Sequence, residues 1–282
     1  MSLLFVHKYQ PKKFADFETN TELFEIIRNL LAIDKLNIML IGNTGCGKTT
    51  IINAIINEYF GDVSQSKYND NILVINNLKE QGINYYRNEV KTFCQTGSSI
   101  RNKKKLVLLD DIDFINDQSQ QVFRNCIDKY SQNVNFISTC NNKQKVIESL
   151  QSRFLILHID PLKRNHIQNI MNNIILHESL VIDDDAREFI LNVCNNNTKT
   201  IVNYMEKIKL MNFPINIENA MNICTNISYN SLSTYTEMVK NGNCIDAIKI
   251  LYDIHDRGYS VMDILDNYFL FRIKKNNVIY FI

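Results

Sequence analysis

Residues 42–49 read GNTGCGKT, a stretch in which closely spaced glycines lead to a lysine and a hydroxyl. The spacing G-x-x-x-x-G-K-[ST] lets the backbone turn so tightly that successive N–H groups converge on phosphate oxygens, and a following helix adds the positive end of its dipole. Gly42, Asn43, Thr44, Gly45, Cys46 and Gly47 would form the cradle, with Thr50 just behind it. Lys48 would reach the β and γ phosphates, and Thr49 would ligate Mg²⁺. Three of the chain's eight glycines fall here, which chance placement would seldom give. A second stretch, LVLLDDID at 106–113, is an apolar run ending in Asp110, Asp111 and Asp113. A strand ending at Asp110 would deliver a carboxylate to the Mg²⁺ held by Thr49, leaving Asp111 beside it to activate a water. A third, NFISTCNNKQKVIESLQSRF at 135–154, ends a strand near Asn141 and continues to Arg153. Ligands sit at the carboxyl ends of strands in open α/β sheets, so Asn141 can orient a water or touch the γ phosphate. Spacing alone gives Arg153 no role beyond that of a solvated loop residue.

These residues need a scaffold, and the hydrophobic pattern supplies one. Short apolar runs at 36–42, 71–76, 105–110, 133–140 and 154–159 read as buried strands. Helical patterns lie between them, notably 49–60 and 118–130, the latter with Val122, Phe123, Cys126 and Ile127 at helical spacing. Alternation of this kind predicts a parallel sheet covered on both faces. Beyond Pro161 amphipathic stripes take over: Ile167, Ile170, Met171, Ile174 and Ile175, then Ala186, Phe189, Ile190 and Val193. A further helical region begins near Ser231, with two helices expected about a turn at Gly258. The expected division is 1–160 for an α/β nucleotide-binding domain, 161–226 for a helical domain and 227–282 for a further helical one.

Composition bounds the rest. With 282 residues, 45% of them hydrophobic, the chain is long enough for more than one core. The balance of 31 basic against 30 acidic residues means that any nucleic-acid surface must arise from local arrangement. Seven cysteines, odd in number and without a CxxC pair, fit reduced thiols inside a cell. No apolar run approaches the roughly 20 residues of a membrane span, so a soluble protein with no membrane partner is expected.

Several further strings resemble the small subunits of replication factor C, the AAA+ clamp loader of eukaryotes, archaea and some large DNA viruses. FVHKYQPKKFADF at 5–17 is similar to that family's opening WVEKYRPxxLxDV, QQVFRNCIDKY at 120–130 to its QxALRRxMExY helix, and QSRF at 151–154 to its SRC box. The segment 161–208 follows the family's lid, and VKNGNCIDAIKILYDIHDRGYSVMDIL at 239–265 resembles the start of its collar. The resemblance implies an AAA+ P-loop NTPase core with a parallel sheet, a helical lid and a short, truncated helical collar. It implies ATP and Mg²⁺ as cofactors, with Lys48, Thr49 and Asp110 in the roles above and Asn141 as first sensor. Arg153 becomes an arginine finger reaching into a neighbouring subunit's site in trans. Val6, Tyr9 and Pro11 would line the adenine pocket, and Lys199 stands at the second sensor. Implied partners are other subunits of a pentameric hetero-oligomer, a sliding clamp, and primer-template DNA held through its phosphates, with Arg124 and the RNKKK run at 101–105 as candidates. The implied location is the nucleus or a viral replication site.

The departures are specific. Asp111 stands where the family has its water-activating Glu, NNTK at 196–199 replaces GDMR, NNLKEQG at 76–82 replaces NASDxRG, and Phe154 replaces the SRC cysteine. Two alternatives stay open: a subunit that binds ATP but hydrolyses it poorly, and a different AAA+ replication or repair ATPase.

Overall fold

The computed structural model describes residues 4–17, 21–61, 63, 68–75, 86–194, 196–211, 213–224, 227 and 229–275. The departure at 76–82 therefore lies outside the described residues. Contacts divide the chain into two units, 1–167 together with 196–200, and 168–195 together with 201–282.

The first unit contains a five-stranded, wholly parallel sheet: β1 (Ile38–Ile41), β2 (Ile72–Ile75), β3 (Lys105–Leu109), β4 (Val134–Cys140) and β5 (Leu155–His158), in the order β2-β3-β4-β1-β5. All five lie within the runs read from sequence. The strands are apolar almost without alternation because both faces are covered. Successive side chains point to opposite faces, so Met39, Val107, Leu109 and Phe136 enter one core, and Ile38, Leu40, Leu106, Leu108 and Ile137 the other. The helices of this unit are α1 (Phe5–Lys8), α2 (Thr21–Ala32), α3 (Lys48–Phe60), α4 (Lys91–Gln95), α5 (Asp117–Tyr130) and α6 (Glu148–Gln151). From α3, Ile51, Ile52, Ile55, Tyr59 and Phe60 cover one face of the sheet, joined by Phe24 and Ile27 of α2. Phe123, Cys126 and Ile127 of α5 cover the other. Asn116 caps α5, its side chain accepting from Ser119 N at 2.8 Å, which sets where the helix starts after the acidic turn.

The helices that follow are α7 (Arg164–Glu178), α8 (Asp184–Val193), α9 (Thr198–Met211), α10 (Ile217–Ile223), α11 (Tyr229–Lys240), α12 (Cys244–Asp256) and α13 (Val261–Lys275). The stripes expected from sequence are the buried faces here: Met171 and Ile174 of α7 and Ala186 and Ile190 of α8 are almost inaccessible. Gly258, at φ +96°, turns the chain between α12 and α13 in the left-handed region that only glycine enters cheaply. In the second unit Ile227, Tyr229, Leu232, Ile254 and Phe271 form one cluster, with Phe189 of α8 packed edge-on against Tyr229. Among the described residues no helix is long and apolar enough to cross a membrane.

Candidate nucleotide site

The phosphate loop leaves β1 and enters α3 directly. Gly42 is pinned between the strands flanking β1, at their carboxyl ends: its N–H donates to Cys140 O, and an added Cβ would lie 2.6 Å from Ile159 O. Gly45 and Gly47 adopt φ of +81° and +97°, a turn that side chains resist. Lys48, the first residue of α3, is buried, and its ammonium donates to Gly42 O at 2.8 Å, Asn43 O at 3.0 Å and Asn141 Oδ1 at 2.8 Å. Thr49 follows, exposed at the helix start, and Thr50 accepts from Gln10 Nε2 at 3.4 Å.

Strand order explains what surrounds them. β4 lies between β1, which leads into the loop, and β3, which leads into Asp110. The end of β4 therefore mediates between loop and carboxylates. Asn141 Nδ2 donates to Asp111 Oδ1 at 2.9 Å, completing a chain from Lys48 through Asn141 to Asp111. Thr139 completes the other half: its hydroxyl donates to Asp110 Oδ1 at 2.6 Å and accepts from Asp111 N at 2.7 Å. Asp111 sits at φ 49°, ψ 57°, a left-handed conformation that aspartate tolerates better than most residues. Burial first, and the neighbouring Asp110 charge second, push its carboxyl above the ordinary carboxylate range, partly opposed by the Asn141 hydrogen bond. Asp113 has a different task, accepting from the backbone N–H groups of Asn141 (3.2 Å) and Asn142 (3.3 Å) and so fixing the end of β4.

Other expected residues lie apart from this chain of contacts. The segment carrying Val6, Tyr9 and Pro11, all half-buried, runs along α3, bonded through Gln10 to Thr50 and through Lys12 O to Asn57 Nδ2 at 3.0 Å. Arg153, between α6 and β5, is held by Asp128 of α5, with Nε to Oδ1 at 3.0 Å and Nη2 to Oδ2 at 3.3 Å. Its Nη1 donates to Ser149 O and Ser152 Oγ, both at 2.8 Å. The Arg153 hydrogen bond holds the Asp128 carboxyl below its ordinary value. Arg124 approaches the same carboxylate at 3.6 Å. Lys199 is exposed near the start of α9. In the RNKKK run, Lys103 stacks over the Tyr59 ring at 4.5 Å, and Lys104 Nζ donates to Asp34 O at 2.9 Å. Lys105 is buried against Phe93 and Thr96. Each of these three lysines has a partner within the fold.

Sequence reasoning missed Thr139, because a threonine inside a strand reads as a β-former, and Gln120, because an amide in a helix reads as surface. Gln120 is buried, donating to Ile115 O at 2.8 Å and Lys145 O at 3.0 Å and accepting from Ile147 N at 2.9 Å, which ties the loop after β3 to the loop after β4.

Two positive-φ glycines, a buried lysine at the start of a 13-residue helix, an adjacent hydroxyl and a carboxylate at a nearby strand end are the donor set that a magnesium-bound nucleoside triphosphate requires. Comparisons with known proteins agree. Residues 38–160 match the model of the ATPase family associated with various cellular activities (AAA) and form an AAA ATPase domain. Among solved structures, the Thermotoga maritima RuvB Holliday junction branch migration motor aligns with a TM-score of 0.61 at 14% identity, covering 82% of this chain and 79% of that one, a likeness of fold. Over most of its length the chain is similar to replication factor C small subunits. It is 28% identical to replication factor C subunit 4 of Saccharomyces cerevisiae, covering 98% of this chain and 84% of that protein. To the replication factor C small subunit of Methanococcus maripaludis it is 26% identical, over 92% of this chain and 82% of the relative.

Proposed function

We propose that this chain is an ATP-binding subunit of a DNA sliding-clamp loader, one member of a hetero-oligomeric ring, a pentamer, that opens a clamp and places it on primer-template DNA. The observation that carries the reading is the unbroken set of contacts from Lys48 through Asn141 to Asp111, with Asp110 tied in through Thr139. In this reading Gly42 to Thr50 cradle the phosphates, Thr49 and Asp110 hold Mg²⁺, and Val6, Tyr9 and Pro11 flank the adenine. Bound Mg²⁺ and ATP would supply the transferable γ phosphoryl group and the cation that neutralises its charge. The protein's part is positioning. Asn141 bonds both Lys48 and Asp111, so the cation that meets phosphate and the carboxylate that would accept a proton from water are set by one amide. Arg153 is held by Asp128 and takes no part in these contacts, which suits a finger offered to a neighbouring subunit. Residues 161–226 act as the lid, with Lys199 as its sensing cation, and 227–282 as part of the collar.

A second reading is favoured by one feature: Asp111 is a methylene shorter than glutamate, and Oδ1 is already engaged by Asn141. A subunit so built would bind ATP and turn it over slowly. Titration of Mg-ATP into the full chain tests the shared premise. Lys48→Ala is expected to abolish binding, and undiminished affinity would overturn the phosphate-loop reading.

A further inference from the structure

The phosphate loop is also gripped from outside. Asn197 Nδ2 donates to Thr44 O at 3.2 Å, and Thr198 Oγ1 donates to Gly45 O at 3.1 Å. The orientation of the Asn197 amide is fixed, because its Oδ1 accepts from Thr200 N at 3.1 Å and a backbone N–H can only donate. One side chain thus starts helix α9 and holds the loop. The approach is close: a Cβ on Gly45 would lie 2.3 Å from Asn197 Oδ1, so any other residue there would displace the amide, besides being strained at a φ of +81°. Residues 196–200 accordingly group with the unit that contains the phosphate loop, and the rest of α9 does not.

Two consequences follow from elementary chemistry. A trans peptide puts its C=O and N–H on opposite sides. A Thr44 carbonyl held outward turns the Gly45 N–H the other way, and the Gly45 carbonyl does the same to the Cys46 N–H, which closes a 3.3 Å turn on Asn43 O. The loop's shape is therefore set before any phosphate arrives, which lowers the ordering cost of binding. The residue types matter as well. In the GDMR string that NNTK replaces, Asp and Met would occupy positions 197 and 198. A carboxylate can cap a helix but donates nothing, and a thioether has no donor.

We propose that Asn197 and Thr198 are positioning residues for nucleotide binding, a polar latch that preshapes the phosphate loop in a chain whose lid cation is Lys199 and not an arginine. The inference rests on the reading of 42–49 as a nucleotide phosphate loop. It is tested on the full chain by calorimetric titration with Mg-ATP and separately with Mg-ADP, using Asn197→Ser, which keeps a helix cap but shortens the reach, Thr198→Val, which keeps the shape without the hydroxyl, and Thr198→Ser, which keeps the donor. Asn197→Ser and Thr198→Val are each expected to weaken both nucleotides by about three- to tenfold, the range of one modest hydrogen bond. Thr198→Ser is expected to stay near the unsubstituted chain. Loss for both nucleotides marks the loop, since the loop cradles the phosphates they share. Unchanged affinities, or loss for ATP alone, overturn the latch while leaving the site intact. Absence of binding by the unsubstituted chain overturns the site and the latch together.

Discussion

At the scale of single residues, the site depends on one hydroxyl that carries no motif. Thr139 is fully buried between Asp110 and the Asp111 backbone, donating to one and accepting from the other. Thr139→Val keeps the shape and strands both partners. Two hydrogen bonds at about 0.5–1.5 kcal/mol each make a drop of about 1–3 kcal/mol in denaturant unfolding, with slower turnover, the expected outcome. Asp111 gives a second residue-scale test. Its carboxyl is pushed above the ordinary value of 3.8 by burial and by Asp110. In the metal-free, nucleotide-free chain its proton should leave at a pH above the ordinary carboxylate value, and an NMR titration that puts it at or below that value contradicts this reading. The stability sign runs with it. A carboxyl with a raised folded-state pKa adds stability below its unfolded value and loses that contribution as pH rises through the folded one. Asp111→Asn should therefore raise the melting temperature at neutral pH while abolishing most turnover.

At the scale of elements, α5 links two jobs. Its buried face carries Phe123 and Ile127 into the core, and its outer face offers Asp128 to Arg153 and Arg124. The pair is partly exposed, so its removal should change stability by only about 0.2–1 kcal/mol. Geometry is the larger matter, because two hydrogen bonds from one guanidinium to one carboxylate fix the fork's plane. Asp128→Asn is expected to lower turnover of the assembled complex about two- to fivefold, a barrier change of the same size as that pair energy. ATP affinity of the isolated chain should stay unchanged. Full turnover by the variant complex would show that Arg153 is not set by Asp128.

At the scale of the whole molecule, Arg153 is where one chain would stop being sufficient. A finger acting across an interface stabilises charge in a neighbour's site, and such fingers contribute about 10³–10⁵ in rate. Arg153→Ala should leave ATP binding by the isolated chain intact and sharply lower turnover at the one adjoining site of a reconstituted complex, as measured by single-turnover hydrolysis. Loss of binding by the isolated chain instead would place Arg153 within its own site or in a structural role.

The sequence by itself determined the five strands, the two helical stripes that follow Pro161, the turn at Gly258 and the phosphate loop, because each is written in local spacing: continuous apolar runs, period 3.6, and glycines before a lysine. It also placed Asp110 and Asn141 at strand ends. What it left open were relations across the sheet. Only the parallel order β3-β4-β1 decided that Thr139 and Asn141 would stand between the carboxylates and Lys48. Only the fold gave Lys103, Lys104 and Lys105 their partners, burying the last, and gave Arg153 its partner on α5. The Asn197 grip on Thr44 joins residues 153 apart in the chain. No local period encodes such a contact, since it depends on where two elements end in space and on which side chain there has a proton to give.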